Sequence, residues 1–384
     1  MKPIYLDYNG TTPHDPEVVA AMRPFLEEEF GNPSSGHLYA AAPRQALNTA
    51  RRQVAGLLNC SPEEVAFTSG GTEANNWAII GTAQALRDRG RHIVTSAFEH
   101  PAVLRVCAFL EKSGYEITYL PVGTDGVVRA PDLKAALRPD TILVTIMHAN
   151  NEVGTIQPVA ELTALARTRG VRIHTDAAQS LAKIPVDVQK MGVDLLTLAG
   201  HKLYAPKGVG ALYIRRGVEL EAFMHGAGQE MGRRAGTENI LEIVGLGKAC
   251  EIAARDLEKH RRHMQAMRER LHTAIASSLT EVRLNGHPER RLPNTLSLAF
   301  RNLEANGILE AIGLEVAASA GAACHAGSVE VSHVLKAMAV PEEWAKGTLR
   351  LTTGRMTTSA EIDRAAEVIV KAVGQMESSK EERI

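Results

Sequence analysis

The residues best suited to chemistry are a lysine and an aspartate that each follow an apolar segment. Lys202 lies in LAGHKLYAPKGVGAL (198–212), among alanine, glycine and proline. A partly buried lysine has a lowered pKa, and its amine can then form a Schiff base. Asp176 ends VRIHTDA (171–177), where a carboxylate can hold a proton on a heterocyclic nitrogen. Taken alone, a surface lysine and a helix-capping aspartate explain these two residues as well.

A third segment is suited to binding phosphate. SGGTEANN (69–76) follows an apolar segment and begins a predicted helix. Its glycines allow a tight turn, and the free N–H groups at a helix start favour an anion. Thr72 can add a hydroxyl. The Gly-Lys-Ser/Thr of a P-loop does not follow, which argues against a nucleoside triphosphate.

Two further residues complete the candidate set. Arg355, beside Gly354 in LRLTTGRMTT (349–358), offers a guanidinium fork for a substrate carboxylate, although a salt bridge to an acid of the chain itself is an alternative. Cys324 lies in SAGAACHAGS (319–328). Small neighbours favour a flexible loop, as a thiol that must move would need, but a small buried cysteine also fits this stretch.

The elements that must position these residues alternate along the chain. Apolar segments predict strands at residues 64–69, 91–97, 117–122, 141–148, 171–177, 194–199 and 210–216. Helical segments lie between several of them at residues 72–90, 131–138 and 159–170, the last ended by Gly170. This alternation predicts an α/β fold with a mainly parallel central sheet, and such folds place ligand contacts at strand ends.

The pattern changes near residue 250. A long charged helix is predicted at residues 251–279, followed by strands VRLNG (282–286) and TLSLAF (295–300) and then a polar tail, ESSKEERI. We interpret this part as a connecting helix and a smaller α+β domain. The predicted organisation is a large domain of residues 15–255, and a small domain of residues 1–14 plus 256–384 that carries the Cys324 loop.

Composition excludes several classes of protein. The 384 residues are 45% hydrophobic and 23% charged, as in an ordinary soluble globular protein. Lys plus Arg is 43 and Asp plus Glu is 44, so charge gives no support for a nucleic-acid or membrane partner. The start, MKPIYLDYNGTTP, has no apolar core of signal-peptide length, and no uninterrupted apolar run approaches membrane-spanning length, so we expect neither a signal peptide nor a transmembrane helix. Four cysteines without C-x-x-C predict neither disulfides nor a metal site, which favours the reducing cytoplasm.

The chain resembles the fold-type I pyridoxal phosphate enzymes (aminotransferase class V), and within them the group I cysteine desulfurases of nitrogen fixation and iron–sulfur assembly. The resemblance covers nearly the whole chain. Its motifs are YLDYNGTTP, FGNPSS, FTSGGTEANN, the pair Glu99-His100, HANNEVGTIQP, HTDAAQ, GHKLYAPKGVGALYIRR, RRAGTEN, GAACHAGS with SHVL after it, and LRLTTGRMTT.

The resemblance implies a role for each matching residue around the cofactor ring. Lys202 would carry pyridoxal 5′-phosphate covalently, Asp176 would pair with its pyridine nitrogen, and Gln179 would bond its ring oxygen. His100 would stack on the ring face as a further catalytic residue. Asn151 would lie beside both cofactor and substrate.

The resemblance also implies how the phosphate is held. Gly71, Thr72 and His201 would bind it, together with Thr237 from the second subunit of a homodimer. One departure from the family stands out, because Ala199 replaces a serine that would donate a hydroxyl. We expect Thr72 and backbone donors to compensate, or the affinity for the cofactor to be lower.

The implied reaction converts L-cysteine to L-alanine. Arg355 would bind the substrate carboxylate, and Lys202 would take the α-proton. The thiolate of Cys324 would accept the substrate sulfur as a persulfide. An acceptor protein, such as an iron–sulfur scaffold or a sulfur carrier, would then receive the sulfur. No resident metal is implied, although Cys324 can serve as a transient iron–sulfur ligand.

Three alternatives stay open at this point. A selenocysteine lyase shares the GAACH and RRAGTEN regions, and only turnover of the two amino acids would separate it from a desulfurase. An aminotransferase or β-lyase on the same fold would not need Cys324. A non-catalytic scaffold for iron–sulfur assembly would need none of Lys202, Asp176 and Arg355.

Overall fold

A seven-stranded sheet forms the centre of the larger part of the molecule. The structure is a computed structural model that describes residues 2–325 and 328–381, with the side chains of 322–329 and 379–381 outside the described part. The strands are β1 (Ile4–Tyr5), β2 (Val65–Thr68), β3 (His92–Ser96), β4 (Glu116–Leu120), β5 (Thr141–Thr145), β6 (Arg172–Asp176), β7 (Leu195–Ala199), β8 (Gly210–Ile214), β9 (Val282–Leu284), β10 (Thr295–Phe300), β11 (Val316–Ala317), β12 (Ser319–Ala320), β13 (Ala322–His325), β14 (Ser328–Val331) and β15 (Thr348–Thr352).

Helices cover this sheet and build the rest of the molecule. They are α1 (Pro16–Glu27), α2 (Ala41–Leu58), α3 (Gly71–Ala85), α4 (Pro101–Lys112), α5 (Ala130–Ala136), α6 (Val159–Arg167), α7 (Val188–Met191), α8 (Ile240–Ser278), α9 (Ala305–Ile312), α10 (His333–Ala337), α11 (Glu342–Ala345) and α12 (Ser359–Glu381).

The large sheet has the order β2-β8-β7-β6-β5-β3-β4. Its neighbours pair in parallel from β4 to β7, and β8 runs antiparallel to both β7 and β2. Every predicted strand from residue 64 to 216 overlaps one of these strands, although β4 begins one residue before its predicted range. The prediction of an α/β fold with a mainly parallel sheet is therefore confirmed.

The apolar strands are continuous because both faces of the sheet are buried. Successive residues enter different hydrophobic clusters: Ile93 and Leu143 pack in one, while Val94 and Val144 pack in another. Side chains alternate between the faces of a strand, so both clusters require apolar residues. In such a sheet only the strand ends remain accessible, and the connecting loops and polar side chains lie there.

A second, antiparallel sheet of order β12-β15-β10-β9 lies in the smaller part of the molecule. Its core includes Leu296 and Leu351 from the sheet and Ile369 from α12. Leu6 from the N-terminal segment packs in the same core. The N-terminal strand β1 pairs in parallel with β11, which ties the start of the chain to this part.

Helix α8 joins the two cores and begins earlier than predicted. It starts at Ile240 instead of residue 251, because the Asn239 side chain accepts a hydrogen bond from Glu242 N. Its first half packs Leu246 in the large core, and its second half packs Leu271 in the small core. The division at residues 255 and 256 stays a prediction.

The C-terminal segment also differs from the prediction, since α12 continues through the polar tail to Glu381. Gly170 closes the turn after α6 with a positive φ of 66°, as its position in the sequence indicated. Within the described residues, no helix is both long and apolar enough to cross a membrane.

Candidate active site

Eight of the predicted site residues meet at the carboxyl-terminal edge of the parallel strands. β6 ends at Asp176, and β7 ends at Ala199, shortly before Lys202. β2 leads into α3, which begins at Gly71. Open α/β sheets bind ligands at this edge, in the crevice outside the carboxyl ends of the strands. The local order of strand and loop thus brings these side chains together.

A cavity of about 270 Å³ lies at this edge. The predicted residues that line it are Gly71, Thr72, His100, Asn151, Asp176, Gln179, His201 and Lys202. The other lining residues are Asn9, Gly10, Asn75, Ala102, Met147, Ala149, Ala178, Ala199 and Arg350. A larger groove, of about 890 Å³, lies between α9, α11 and α12 and contains none of the predicted residues.

Lys202 projects into the cavity towards the N-terminal segment. Its Nζ donates to Asn9 O and Gly10 O, both at 2.6 Å. Burial, and then the positive charge of Arg350, lower the pKa of Lys202 to about 8. A neutral, nucleophilic amine is therefore accessible close to neutral pH, as Schiff-base formation requires.

Asp176 is held in the cavity wall by two donors. Its Oδ2 accepts from Asn75 Nδ2 at 2.7 Å, and its Oδ1 accepts from Ala178 N at 2.9 Å. Asn75 Oδ1 is buried and has no hydrogen-bond partner among the described residues. A carboxylate with this orientation can accept a further bond from a protonated ring nitrogen.

The phosphate end of the cavity is shaped by small residues. A side chain at Gly71 would place its Cβ 3.2 Å from Ala199 Cβ, so glycine keeps the start of α3 open to an anion. His201 contacts Thr11 Oγ1 through Nδ1 at 3.2 Å. Burial, and then the charge of Lys202, lower the pKa of His201 to about 4, so its imidazole is neutral at physiological pH.

His100 caps α4 with its ring. Ala102 N donates to His100 Nδ1 at 3.1 Å, so the neutral ring carries its proton on Nε2. Desolvation lowers the pKa of His100, and the nearby Asp176 opposes this shift. The ring is therefore a neutral group whose N–H is not used by α4.

Arg355 does not line the cavity. Its guanidinium forms an ion pair with Asp15 and lies 3.8 Å above the ring centre of Tyr204. Only 6% of its side chain is exposed. Of the two alternatives in the sequence, the structure therefore shows the salt bridge to an acid of the chain itself, and Arg355 has no open donor face for a substrate.

Arg350, five positions earlier on β15, is the arginine that lines the cavity. Its Nη2 donates to Asp7 Oδ1 at 2.7 Å and to Ser319 Oγ at 3.1 Å. Its Nε is buried and has no hydrogen-bond partner among the described residues. Arg350 is thus the arginine whose guanidinium is placed at the cavity wall, where a carboxylate could pair with it.

The predicted loop around Cys324 is a short hairpin where its backbone is described. Ala322–His325 pairs antiparallel with Ser328–Val331, and Cys324 lies opposite Val329. The side chain of Cys324 is outside the described part of the chain. At the base of the hairpin, Ser332 Oγ donates to Glu152 Oε2 at 2.6 Å. Since Glu152 follows Asn151, the hairpin begins beside the cavity wall.

The other cysteines are poor nucleophiles. Burial raises the pKa of Cys60, Cys107 and Cys250 to about 12 in each case, and all three are free thiols. Because the thiolate is the reactive form, these three thiols are poorly suited to nucleophilic attack at neutral pH.

Thr237 is exposed and does not line the cavity of its own chain. Two ion pairs hold the segment that carries it. Arg51 Nη1 lies 2.7 Å from Glu230 Oε2, and Arg234 Nε lies 2.8 Å from Glu73 Oε1. The segment is therefore firmly attached while Thr237 faces outwards.

The sequence analysis missed several residues of the site. Asn9, Gly10 and Arg350 line the cavity, although the analysis gave none of them a role. YLDYNGTTP contained the first two, and LRLTTGRMTT contained the third. Motif position alone did not show which polar residue of each motif points to the cavity, since that depends on contacts between distant segments.

Comparisons with known proteins agree with this geometry. The family model described as aminotransferase class-V matches residues 4–365. The chain is 47% identical over 376 residues to a cysteine desulfurase IscS of Methanosarcina thermophila, covering 98% of this chain and 93% of the relative. It is 44% identical over 379 residues to a cysteine desulfurase of Pongo abelii, covering 98% and 83%. The resemblance stated from the motifs is confirmed.

Solved structures show the same fold. A NifS-like protein matches with a TM-score of 0.92 and 36% identity, covering 97% of this chain and all of that one (100%). A structure described as SspA in complex with cysteine matches with a TM-score of 0.81 and 35% identity, covering 93% and 100%. Both the family and the predicted cofactor class, pyridoxal phosphate, are confirmed by these matches. The chain belongs to the aminotransferase class-V family.

Proposed function

We propose that the chain is a cysteine desulfurase, which converts L-cysteine to L-alanine and takes the sulfur onto Cys324 as a persulfide. The observation that carries this proposal is the presence of Lys202, Asp176 and Arg350 in one cavity. Curated relatives of 43–47% identity are named cysteine desulfurases, which supports cysteine as the substrate. An aminotransferase or β-lyase would leave Cys324 without a role.

The residues of the cavity fit pyridoxal phosphate. Lys202 supplies a lysine of lowered pKa for covalent attachment. Asp176 is already aligned by two donors, and so can meet a protonated pyridine nitrogen. Gly71 and Thr72 at the start of α3 suit the phosphate, because free N–H groups and the helix dipole favour an anion there. Asn75 Oδ1 is a buried polar atom with no hydrogen-bond partner in the described part of the chain.

When bound, pyridoxal phosphate supplies an electron sink that makes the α-hydrogen of an attached amino acid acidic. Asp176 holds the proton at the ring nitrogen, and its fixed hydrogen bonds keep it aligned. Lys202 acts as the base that takes the α-proton, since its amine titrates close to neutral pH. His100 lines the same cavity, and its Nε2–H can donate a hydrogen bond there.

Arg350 orients the substrate in our proposal, in place of Arg355. It lines the cavity from β15, so its guanidinium can offer a carboxylate a charged donor there. The Cys324 thiolate then attacks the substrate sulfur. The carbon–sulfur bond breaks, a sulfur–sulfur bond forms at Cys324 Sγ, and alanine leaves after protonation of its β-carbon.

The proposal includes a homodimer in which Thr237 completes the phosphate site of the partner subunit. Its support is the outward position of Thr237 and a set of exposed apolar side chains, which a monomer rarely displays together. These are Phe30 (80% exposed), Leu38 (87%), Tyr39 (65%) and Met231 (49%). The ring centres of Phe30 and Tyr39 lie 5.6 Å apart, so part of the set forms one patch.

We further propose that the persulfide sulfur passes to an acceptor protein, such as an iron–sulfur scaffold or another sulfur carrier. The enzyme is proposed to work in the cytoplasm, because its free cysteines suit a reducing compartment. Co-purification under mild conditions would identify the acceptor. Recovery of no protein that accepts labelled sulfur from the persulfide would contradict this part.

The central test replaces Cys324 with serine. The variant should still bind pyridoxal phosphate and cysteine, whereas alanine and sulfide production should fall on the order of a thousandfold, because a hydroxyl is a poor nucleophile towards sulfur. Mass spectrometry of the wild-type enzyme after exposure to cysteine should find added sulfur on the Cys324 peptide.

The matched control is Cys60→Ser, at a thiol that burial keeps protonated. Its turnover should stay near that of the wild type. A wild-type enzyme that produces alanine from cysteine without ever modifying Cys324 would refute the proposed mechanism.

A further inference from the structure

Lys183 is a buried lysine that the proposed reaction does not use. Only 4% of it is exposed. Its Nζ donates to Gln179 Oε1 at 2.7 Å and to Asn9 Oδ1 at 2.9 Å. Within the described part of the chain, it forms no ion pair with a carboxylate. Burying an amine without an acidic partner is unfavourable, so the burial of Lys183 must be offset by the hydrogen bonds that it forms.

The backbone is bent to bring Lys183 inwards. Ala182, directly before it, has a positive φ of 61°, a conformation that is uncommon for residues other than glycine. Lys183 N and Ile184 N both donate to Ser180 O, at 3.1 and 3.0 Å. This tight turn follows the segment that carries Gln179, and it directs the lysine back under that residue.

The contact with Lys183 determines how the Gln179 amide is oriented. Lys183 Nζ donates to Gln179 Oε1, so Oε1 points to Lys183 and Nε2 points away from it. Gln179 Nε2 donates to Asn9 O at 3.0 Å, the same oxygen that accepts from Lys202 Nζ. The N–H side of the amide therefore lies next to Lys202, at the cavity that both residues line.

Asn9 is fixed by the same lysine. Its Oδ1 accepts from Lys183 and from Asn294 Nδ2, the latter at 3.0 Å. Its Nδ2 donates to Asn151 O at 3.1 Å. Lys183 thus forms hydrogen bonds to both Gln179 and Asn9, which line the cavity beside Lys202.

We propose that Lys183 is a positioning residue, whose amine fixes the Gln179 side chain so that its N–H group faces the cofactor oxygen next to Lys202. This inference rests on the proposed pyridoxal phosphate site. A donated hydrogen bond withdraws electron density from that oxygen and weakens its attraction for the proton on Lys202 Nζ. Burial and the charges of Lys202 and Arg350 hold the pKa of Lys183 well below its usual value, but a neutral amine donates to Gln179 as well.

The test is a pH titration of the visible absorbance band of the lysine-bound cofactor. In Lys183→Met, whose side chain is similar in length, Gln179 is free to turn its carbonyl towards the cofactor. The midpoint of the titration should then rise by about one pH unit, since the proton on Lys202 Nζ is held more strongly. A midpoint equal to that of the wild type would overturn the proposal.

A double-mutant cycle separates positioning from a direct charge effect. Gln179→Ala alone should raise the midpoint, and adding Lys183→Met should change it little further, because both changes remove the same interaction. An equal shift from Lys183→Met in both backgrounds would show that Lys183 acts by its charge and not through Gln179, and the proposal would be wrong.

Two controls keep the outcome clear. Lys190→Met, at a side chain that is 86% exposed, should leave the midpoint unchanged. If Lys183→Met does not fold, Lys183→Gln keeps polar atoms in the same place and should give a smaller shift of the same sign, with no shift counting against the proposal. A wild-type protein without the absorbance band would refute the cofactor site itself, and the inference with it.

Discussion

The two walls of the cavity are built in different ways. One wall comes from strand ends of the large sheet, and places Thr72, Asp176 and Lys202 through local strand-to-loop turns. The opposite wall joins the N-terminal segment to β15 near the other end of the chain. There, Asn9 N donates to Thr352 Oγ1 at 3.0 Å, and Arg350 Nη2 donates to Asp7 Oδ1 at 2.7 Å.

This difference explains which chemistry each wall performs. In our proposal the strand-end wall holds the groups that bind the cofactor, and these keep their geometry because the sheet is rigid and buried on both faces. The second wall holds Arg350, which contacts the substrate in our proposal. Its position depends on how the small antiparallel sheet packs beside the N-terminal segment, so the substrate side depends on long-range contacts.

Among changes to the two walls, the largest effect should come from Arg350→Lys, which keeps the positive charge but loses the two-pronged guanidinium. We expect kcat/KM for cysteine to fall about 10- to 100-fold, because losing one charge-assisted hydrogen bond costs about 1.5–3 kcal/mol. The loss should appear mainly in KM, with the cofactor band unchanged. Steady-state kinetics and absorbance spectra measure both.

The matched control is Arg355→Lys, which breaks the stacking on Tyr204 but keeps a cation beside Asp15. It should lower the melting temperature and leave KM for cysteine near the wild-type value. The opposite pattern, with KM raised by the Arg355 variant and not by the Arg350 variant, would return the carboxylate contact to Arg355.

Thr237→Ala tests whether a second copy of the chain contributes Thr237 to the phosphate side of the cavity. Loss of one hydroxyl on a phosphate should raise the dissociation constant of pyridoxal phosphate roughly tenfold. The variant should remain a dimer, since the exposed apolar side chains proposed for the interface, such as Phe30 and Tyr39, are unchanged. Equilibrium dialysis and sedimentation give the two values. A wild-type monomer with full activity would contradict the shared site.

Sequence reasoning succeeded where function depends on local order. The strand ends at Asp176 and Ala199 follow from short apolar segments, and the loop after each strand fixes where Lys202 lies. The sequence analysis chose the wrong arginine for the cavity. Arg350 and Arg355 belong to one motif, and their positions in it do not show that Arg355 already pairs with Asp15. Lys183 gave no signal, because its partner Asn9 lies far away in the chain.

The smallest effect is expected at Ala199, where the strand-end wall departs from its family. Ala199 Cβ lies 3.2 Å from where a Gly71 side chain would begin, so a hydroxyl at position 199 would lie beside the phosphate-binding start of α3. Ala199→Ser should therefore tighten pyridoxal phosphate binding about fivefold, less than a free hydrogen bond would give, because the narrow space restricts its rotamers. Cofactor retention during dialysis measures this. Weaker binding in the serine variant would mean that the space beside Gly71 cannot hold the hydroxyl, and that this chain binds phosphate through Thr72 and backbone donors alone.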